Sequence, residues 1–104
     1  GVNIYPMQVE RVLMGVEEVG SNYLIKLETA NEMDEMIVHV ELRAGVFFDE
    51  TRRIEALREH IVAELRHELL FTPMVEIHQP NALPVSEGKA VRVVDERGKA
   101  GDPG

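Results

Sequence analysis

Hydrophobic residues recur along this chain at spacings that change from one stretch to the next. Val9, Val12, Leu13 and Val16 follow the i, i+3, i+4, i+7 pattern of one helical face. Tyr5-Pro6 opens that stretch, and proline suits a first helical turn because its missing N–H has no partner there anyway. Gly20-Ser21 closes it, so the pattern predicts a helix over 6–18. From Asn22 to Glu28 the period falls to two: Tyr23, Ile25 and Leu27 alternate as a half-buried strand requires. Met36, Val38, Val40 and Leu42 alternate again, with His39, Glu41 and Arg43 on the other face. Between the two runs, Thr29 to Asp34 has turn chemistry, which makes the pair an antiparallel hairpin.

Ala44-Gly45 breaks the second strand, and a longer period-3.6 stripe follows through Ile54, Leu57, Ile61 and Leu65. Asp49 or Thr51 can cap this second helix through a side-chain oxygen, and Pro73 stops it. Arg52–Glu55 and Glu55–Arg58 are i, i+3 pairs on its wet face. Met74 to His78 is a short strand with Val75 and Ile77 on one side. The next stretch, QPNALPVSEGK, is too polar and too rich in Pro and Gly for a regular element. Val91, Val93 and Asp95 fit either a last short strand or a turn of helix. Residues 98–104 read as a flexible tail.

The order is α-β-β-α-β, then a loop and a short final element. Separated helices over a small sheet indicate an α+β two-layer sandwich, with the helices packed on a largely antiparallel three-stranded sheet. Its expected core is Val9, Val12, Leu13, Ile25, Leu27, Val38, Val40, Ile54, Leu57, Ile61, Leu65, Val75 and Ile77.

Composition narrows the function classes. The 104 residues are one domain's worth. Hydrophobic content of 44% and charged content of 29% are ordinary for a soluble globular fold. No apolar run reaches the length of a membrane span, and no signal peptide opens the chain. A net charge of −8 argues against non-specific nucleic-acid binding, and two Tyr, three Phe and no Trp leave no platform for stacking bases. The absence of cysteine excludes disulfides and thiolate metal sites, and it fits a cytoplasmic protein. A first residue of glycine rather than methionine points to a fragment of a longer protein or a processed chain.

Few residues suggest chemistry on spacing alone. A phosphate-binding P-loop around Lys89 would need Gly at 83 and Ser or Thr at 90, where the chain has Leu83 and Ala90. The zinc motif H-E-x-x-H begun at His67 would need a second histidine where Phe71 stands. His60 and Glu64 share a helix face. His39 and His78 lie on separate strands and can face each other only if those strands pair. Solvated histidines account for all four, and no metal site is expected. The acids Glu17-Glu18, Glu32, Glu35 and Asp49-Glu50 cluster near element ends, as solvated faces do. Lys89, just after Ser86-Glu87-Gly88 in a loop announced by Pro80 and Pro84, reads either as a surface lysine or as a group delivered to a partner.

Two stretches at opposite ends of the chain carry a resemblance. GVNIYPMQVERVL (Gly1 to Leu13) resembles the segment just after the interdomain hinge of phenylacetate–CoA ligases, and LPVSEGKAVRVVDER (Leu83 to Arg97) resembles the lysine loop of the same family. ETANEMDEMIVHVE between them looks like the family's hairpin. The resemblance covers residues 1–97 and implies the mobile C-terminal domain of an AMP-forming acid–CoA ligase, whose own chain supplies a large N-terminal adenylation domain. Such enzymes join ATP and a carboxylic acid into an acyl-adenylate with release of pyrophosphate, and then let the CoA thiol displace AMP. Their small domain turns a different face to each step.

By this resemblance Lys89 is the catalytic lysine of adenylation, with Ser86 and Gly88 shaping its loop, and Gly1, Val2 and Asn3 lie near the CoA route. A compact ammonium suits phosphoryl oxygens that gather negative charge. ATP, CoA and Mg2+ would serve the full-length enzyme, and an aromatic carboxylic acid would be its substrate. No cofactor is expected on this domain alone, no nucleic acid or membrane partner is implied, and a homodimer is compatible with the family. The family often has basic residues where this chain has Val85 and Val91, so the loop is less positive here. The competing reading is a small regulatory ligand-binding or dimerisation domain with an amino-acid-sensing fold, which would need no lysine loop.

Overall fold

The computed structural model describes residues 6–46, 50–83 and 93–97. Helix α1 (Pro6–Met14) is followed by strands β1 (Val19–Ala30) and β2 (Met33–Leu42), helix α2 (Thr51–Leu69), and strands β3 (Met74–His78) and β4 (Val93–Glu96). The α+β class and the α-β-β-α-β order are as the sequence predicts. The short final element is a strand.

The hairpin holds the centre of the sheet, whose order is β3-β2-β1-β4. β1 and β2 pair antiparallel, with Ile25 opposite Val38. Their turn places Asn31 at φ 51° and Glu32 at φ 65°. Positive φ at both central residues is the geometry whose twist matches that of the flanking strands; asparagine tolerates it and glutamate does so less readily. The Thr29 hydroxyl donates to Asp34 Oδ1 at 3.0 Å across the same end.

The outer pairings differ from a largely antiparallel three-stranded sheet. β3 pairs parallel with β2, and β4 pairs parallel with β1. A parallel pairing needs a crossover, and α2 supplies the one between β2 and β3. Because β3 and β4 occupy opposite edges, the chain leaving His78 and returning at Val93 joins the two edges of the sheet. Four strands are about 14 Å wide from first to last axis, a span that connection covers easily.

Period two sorts the strand residues between the faces. Tyr23, Ile25, Leu27, Met36, Val38, Val40, Leu42 and Val75 form one buried cluster with Val9, Leu13 and Val16 of the α1 region and Leu57, Ile61 and Leu65 of α2. Most of the expected core is buried, while Val12 and Ile77 pack against its margin and Ile54 is half-buried. The alternate positions, among them Lys26, His39, Glu41, Glu76 and His78, point to the opposite face.

Helix ends depart from expectation in instructive ways. α1 stops at Met14 rather than at 18, because the N–H groups of Gly15 and Val16 bond the carbonyls three residues back, Val12 and Leu13, both at 3.1 Å. Val16 still reaches the core from that tight turn. Glu50 is the N-cap of α2 and makes no side-chain cap bond. Thr51 is already the first helical residue, and Asp49 lies outside the described residues. Before Pro73 is reached, Leu70 turns left-handed at φ 67° and its N–H returns to the Arg66 carbonyl at 2.8 Å. Arg58 grips Glu55 with both contacts at 2.7 Å, as the i, i+3 spacing predicts.

Candidate functional site

Glu41 departs most from what its sequence neighbourhood suggests. It occupies an outward position near the end of β2, where a solvated acid is ordinary, yet it is only 6% exposed. Its Oε2 accepts hydrogen bonds from Asn22 Nδ2 at 2.9 Å and from the Leu83 backbone N–H at 2.8 Å. Its Oε1 accepts from the Asn81 N–H at 3.1 Å. A carboxylate so placed gathers the turn after β3 onto the middle of the sheet, and bonds to a charged acceptor are the stronger kind. Asn81 at φ 66° and the Ala82 N–H bonded to the Gln79 carbonyl at 3.2 Å complete the turn. Leu83 itself is buried, so the chain enters residues 84–92 from a fixed point.

One residue before that turn, the β2–β3 seam brings together three groups on the same sheet face. Parallel register sets His39 opposite Glu76 and Glu41 opposite His78. His39 Nδ1 lies 2.9 Å from His78 Nε2 and 3.2 Å from Glu76 Oε2, and the two rings sit with centroids 5.1 Å apart. His78 Nε2 is 4.0 Å from the same glutamate oxygen. Burial pushes the His39 imidazole below its ordinary pKa; Glu76 opposes that shift, while His78 and Lys26 add to it. Lys26 lies between Glu28 at 3.8 Å and Glu96 at 3.7 Å. The strand pairing on which a facing His39 and His78 depended is therefore present.

A separate cleft of about 300 Å³ lies where the hairpin end meets the chain after α2, lined by Leu27, Met36, Phe71, Met74 and Arg97 among others. Arg97 is held there by Asp95 at 2.9 Å, a bond that keeps its proton more firmly in place, and lies 3.8 Å from Asp34. The cleft is mostly apolar, with Asp34, Glu35 and Arg97 as its charged lining.

The residues singled out from the sequence, Gly1, Val2, Asn3, Ser86, Gly88 and Lys89, all lie outside the described residues, as do Val85 and Val91. Their described flanks are Pro6 at the start of α1, the anchored Leu83, and Val93 at the start of β4. Sequence reading missed Glu41 and dismissed the His39 group. Glu41 carried no local signal, since its partners are 19, 40 and 42 residues away along the chain.

Comparison with known proteins defines the class. Residues 1–97 match the family described as the AMP-binding enzyme C-terminal domain. Among solved structures, a domain of phenylacetate-coenzyme A ligase from Bacteroides vulgatus superposes with a TM-score of 0.83 at 47% identity, covering 93% of this chain and 88% of that one. 2-Hydroxyisobutyryl-CoA ligase, crystallised with 2-HIB-AMP and CoA in the thioesterification state, superposes with a TM-score of 0.82 at 27% identity over 93% of this chain. This chain belongs to the family of AMP-binding enzyme C-terminal domains.

Within that family its similarity runs to phenylacetate–CoA ligases. It is 34% identical to the enzyme of Thermus thermophilus and 32% identical to that of Pseudomonas putida, in each case over 93% of this chain. It spans only 25% and 22% of those two enzymes' lengths. The family membership favours the ligase reading over the regulatory module.

Proposed function

We propose that this chain acts as the C-terminal lid of an ATP-dependent aryl-acid CoA ligase, with residues 1–97 as the domain and 98–104 as its tail. The observation that carries the reading furthest is the Glu41 anchor. It gives the segment bearing Lys89 a rigid starting point six residues before the lysine. A charge meant to act on a reacting phosphoryl group needs such a support, because electrostatic stabilisation depends on groups placed in advance.

In this reading the large N-terminal adenylation domain, on the same polypeptide, holds ATP, Mg2+ and the aromatic acid. Lys89 enters its cleft during adenylation and contacts the carboxylate and phosphate oxygens. Ser86 and Gly88 set the loop around it. Rotation of the lid then withdraws Lys89 and brings Gly1, Val2 and Asn3 beside the incoming CoA thiol. The domain alone holds neither ATP, CoA nor Mg2+. The similarity to phenylacetate–CoA ligases supports an aryl acid as substrate, and the cytoplasm is the compartment proposed. Among the described residues no helix is long and apolar enough to cross a membrane.

The test separates the two half-reactions in the full-length enzyme. Lys89→Ala should impair acyl-adenylate formation and spare thioester formation from preformed acyl-adenylate. Equal rates for mutant and wild type in both half-reactions would remove Lys89 from the mechanism.

A further inference from the structure

His39, Glu76 and His78 present three donor atoms of two kinds at the seam between β2 and β3. The separations are 2.9 Å between the ring nitrogens, and 3.2 Å and 4.0 Å from those nitrogens to one glutamate oxygen. A tetrahedral ion with ligand bonds of about 2.0–2.1 Å spaces its ligand atoms by about 3.3–3.4 Å. The three separations bracket that spacing, so side-chain shifts of a few tenths of an ångström to well under an ångström would fit such an ion. We propose that His39, Glu76 and His78 form a binding site for a first-row divalent cation, Zn2+ foremost, with a fourth position open to solvent.

The donor set selects the ion. Two imidazoles and one carboxylate suit borderline cations, whereas Mg2+ and Ca2+ prefer all-oxygen surroundings. The backbone places the set without help from a loop: Glu76 stands opposite His39, and His78 is two positions further along β3 on the same face. Little ordering is therefore needed on binding. His39 is the more buried of the two imidazoles. Glu76 and His78 are more open, which leaves an approach from solvent. Lys26 on β1 is a cation whose charge reaches His39 and would oppose a metal, and Glu28 and Glu96 lie against it. Without a metal, the 2.9 Å approach of the two rings is accounted for by a shared proton, the alternative to be excluded.

A bound ion would tie the C-terminal end of β3 to β2 immediately before the turn gathered by Glu41. It would act as a brace at the root of the 84–92 segment, and the site does not depend on the ligase reading.

The experiment titrates the metal-stripped 104-residue chain with Zn2+ against a chromophoric zinc chelator. One ion per chain with a dissociation constant in the micromolar range or tighter is expected, with no displacement by millimolar Mg2+. His39→Ala and His78→Ala should each weaken binding at least 10-fold, while His60→Ala and His67→Ala on α2 should leave it unchanged. Zn2+ should also raise the thermal midpoint of the wild type and not of the His39→Ala/His78→Ala double variant. If a variant fails to fold, NMR of the wild type decides: the ring protons of His39 and His78 must shift on Zn2+ addition while those of His60 and His67 stay. Absence of saturable binding, equal affinity in the folded double variant, or shifts confined to His60 and His67 would overturn the proposal.

Discussion

The Leu83 backbone N–H donates to Glu41 Oε2 at 2.8 Å, joining two residues 42 positions apart. With the Asn81 N–H on the other oxygen, this one carboxylate satisfies two backbone donors of the turn that leads toward Lys89. Glu41→Ala leaves both without their acceptor and should cost about 2–4 kcal/mol of stability, the range for losing hydrogen bonds to a charged group and stranding their donors. Glu41→Gln keeps one acceptor oxygen and should cost less. Urea denaturation measures both, and an unchanged midpoint for the alanine variant would show the turn holding without Glu41.

Lys89 should matter by about 10²–10³-fold in acyl-adenylate formation, the scale of removing one placed transition-state contact. The same Lys89→Ala enzyme should make thioester from supplied acyl-adenylate and CoA at a near-normal rate. Lys99, beyond the family match that ends at residue 97, is the internal control, and Lys99→Ala should leave both rates alone. Equal slowing of both steps by Lys89→Ala would instead indicate a lid that cannot turn or fold.

Leu57 is buried where α2 meets the core. Leu57→Ala removes packed methyl groups and should cost about 2–5 kcal/mol. A denaturation midpoint equal to that of the wild type would contradict its burial.

His39 carries a pH dependence whose sign follows from burial. Its folded pKa lies below the ordinary value of about 6.5, so at mildly acidic pH the unfolded chain binds the proton more readily than the folded one. The folded state should therefore lose stability as pH falls below about 6.5, and above that pH His39 should contribute no slope. The charged and titratable neighbours setting this balance are Glu76 and His78 on β3 and Lys26 and Glu28 on β1. In chelator-treated buffer, His39→Asn should flatten the acid limb of the stability profile. An identical slope in the variant would assign the effect elsewhere.

Glu32 holds φ at 65° in the hairpin turn, where glycine is favoured. Glu32→Gly should relieve the left-handed strain and stabilise the domain by up to about 1 kcal/mol, net of the flexibility it gives the unfolded chain. A lower thermal midpoint in this variant would mean that the Glu32 side chain contributes more than its backbone costs.

What the sequence by itself determined was local and periodic. The period of 3.6 through Leu57, Ile61 and Leu65 requires α2, and the period of two through Met36, Val38, Val40 and Leu42 requires β2, because each pattern has one geometry that buries it. The turn composition at 29–34 joins adjacent strands whatever happens elsewhere. The stretches 1–13 and 83–97 carry a family pattern that is one-dimensional and so readable without a fold. The neighbours of β2 and β1 across the sheet were decided only in three dimensions. Parallel pairing of β3 with β2 depends on α2 packing its stripe over the sheet, and no local periodicity encodes that register. His39 meeting His78, and Glu41 reaching Asn81 and Leu83, depend on the same register. A side chain outward in its own strand looks solvated until a non-adjacent segment is laid against it, so their roles became visible only in the tertiary structure.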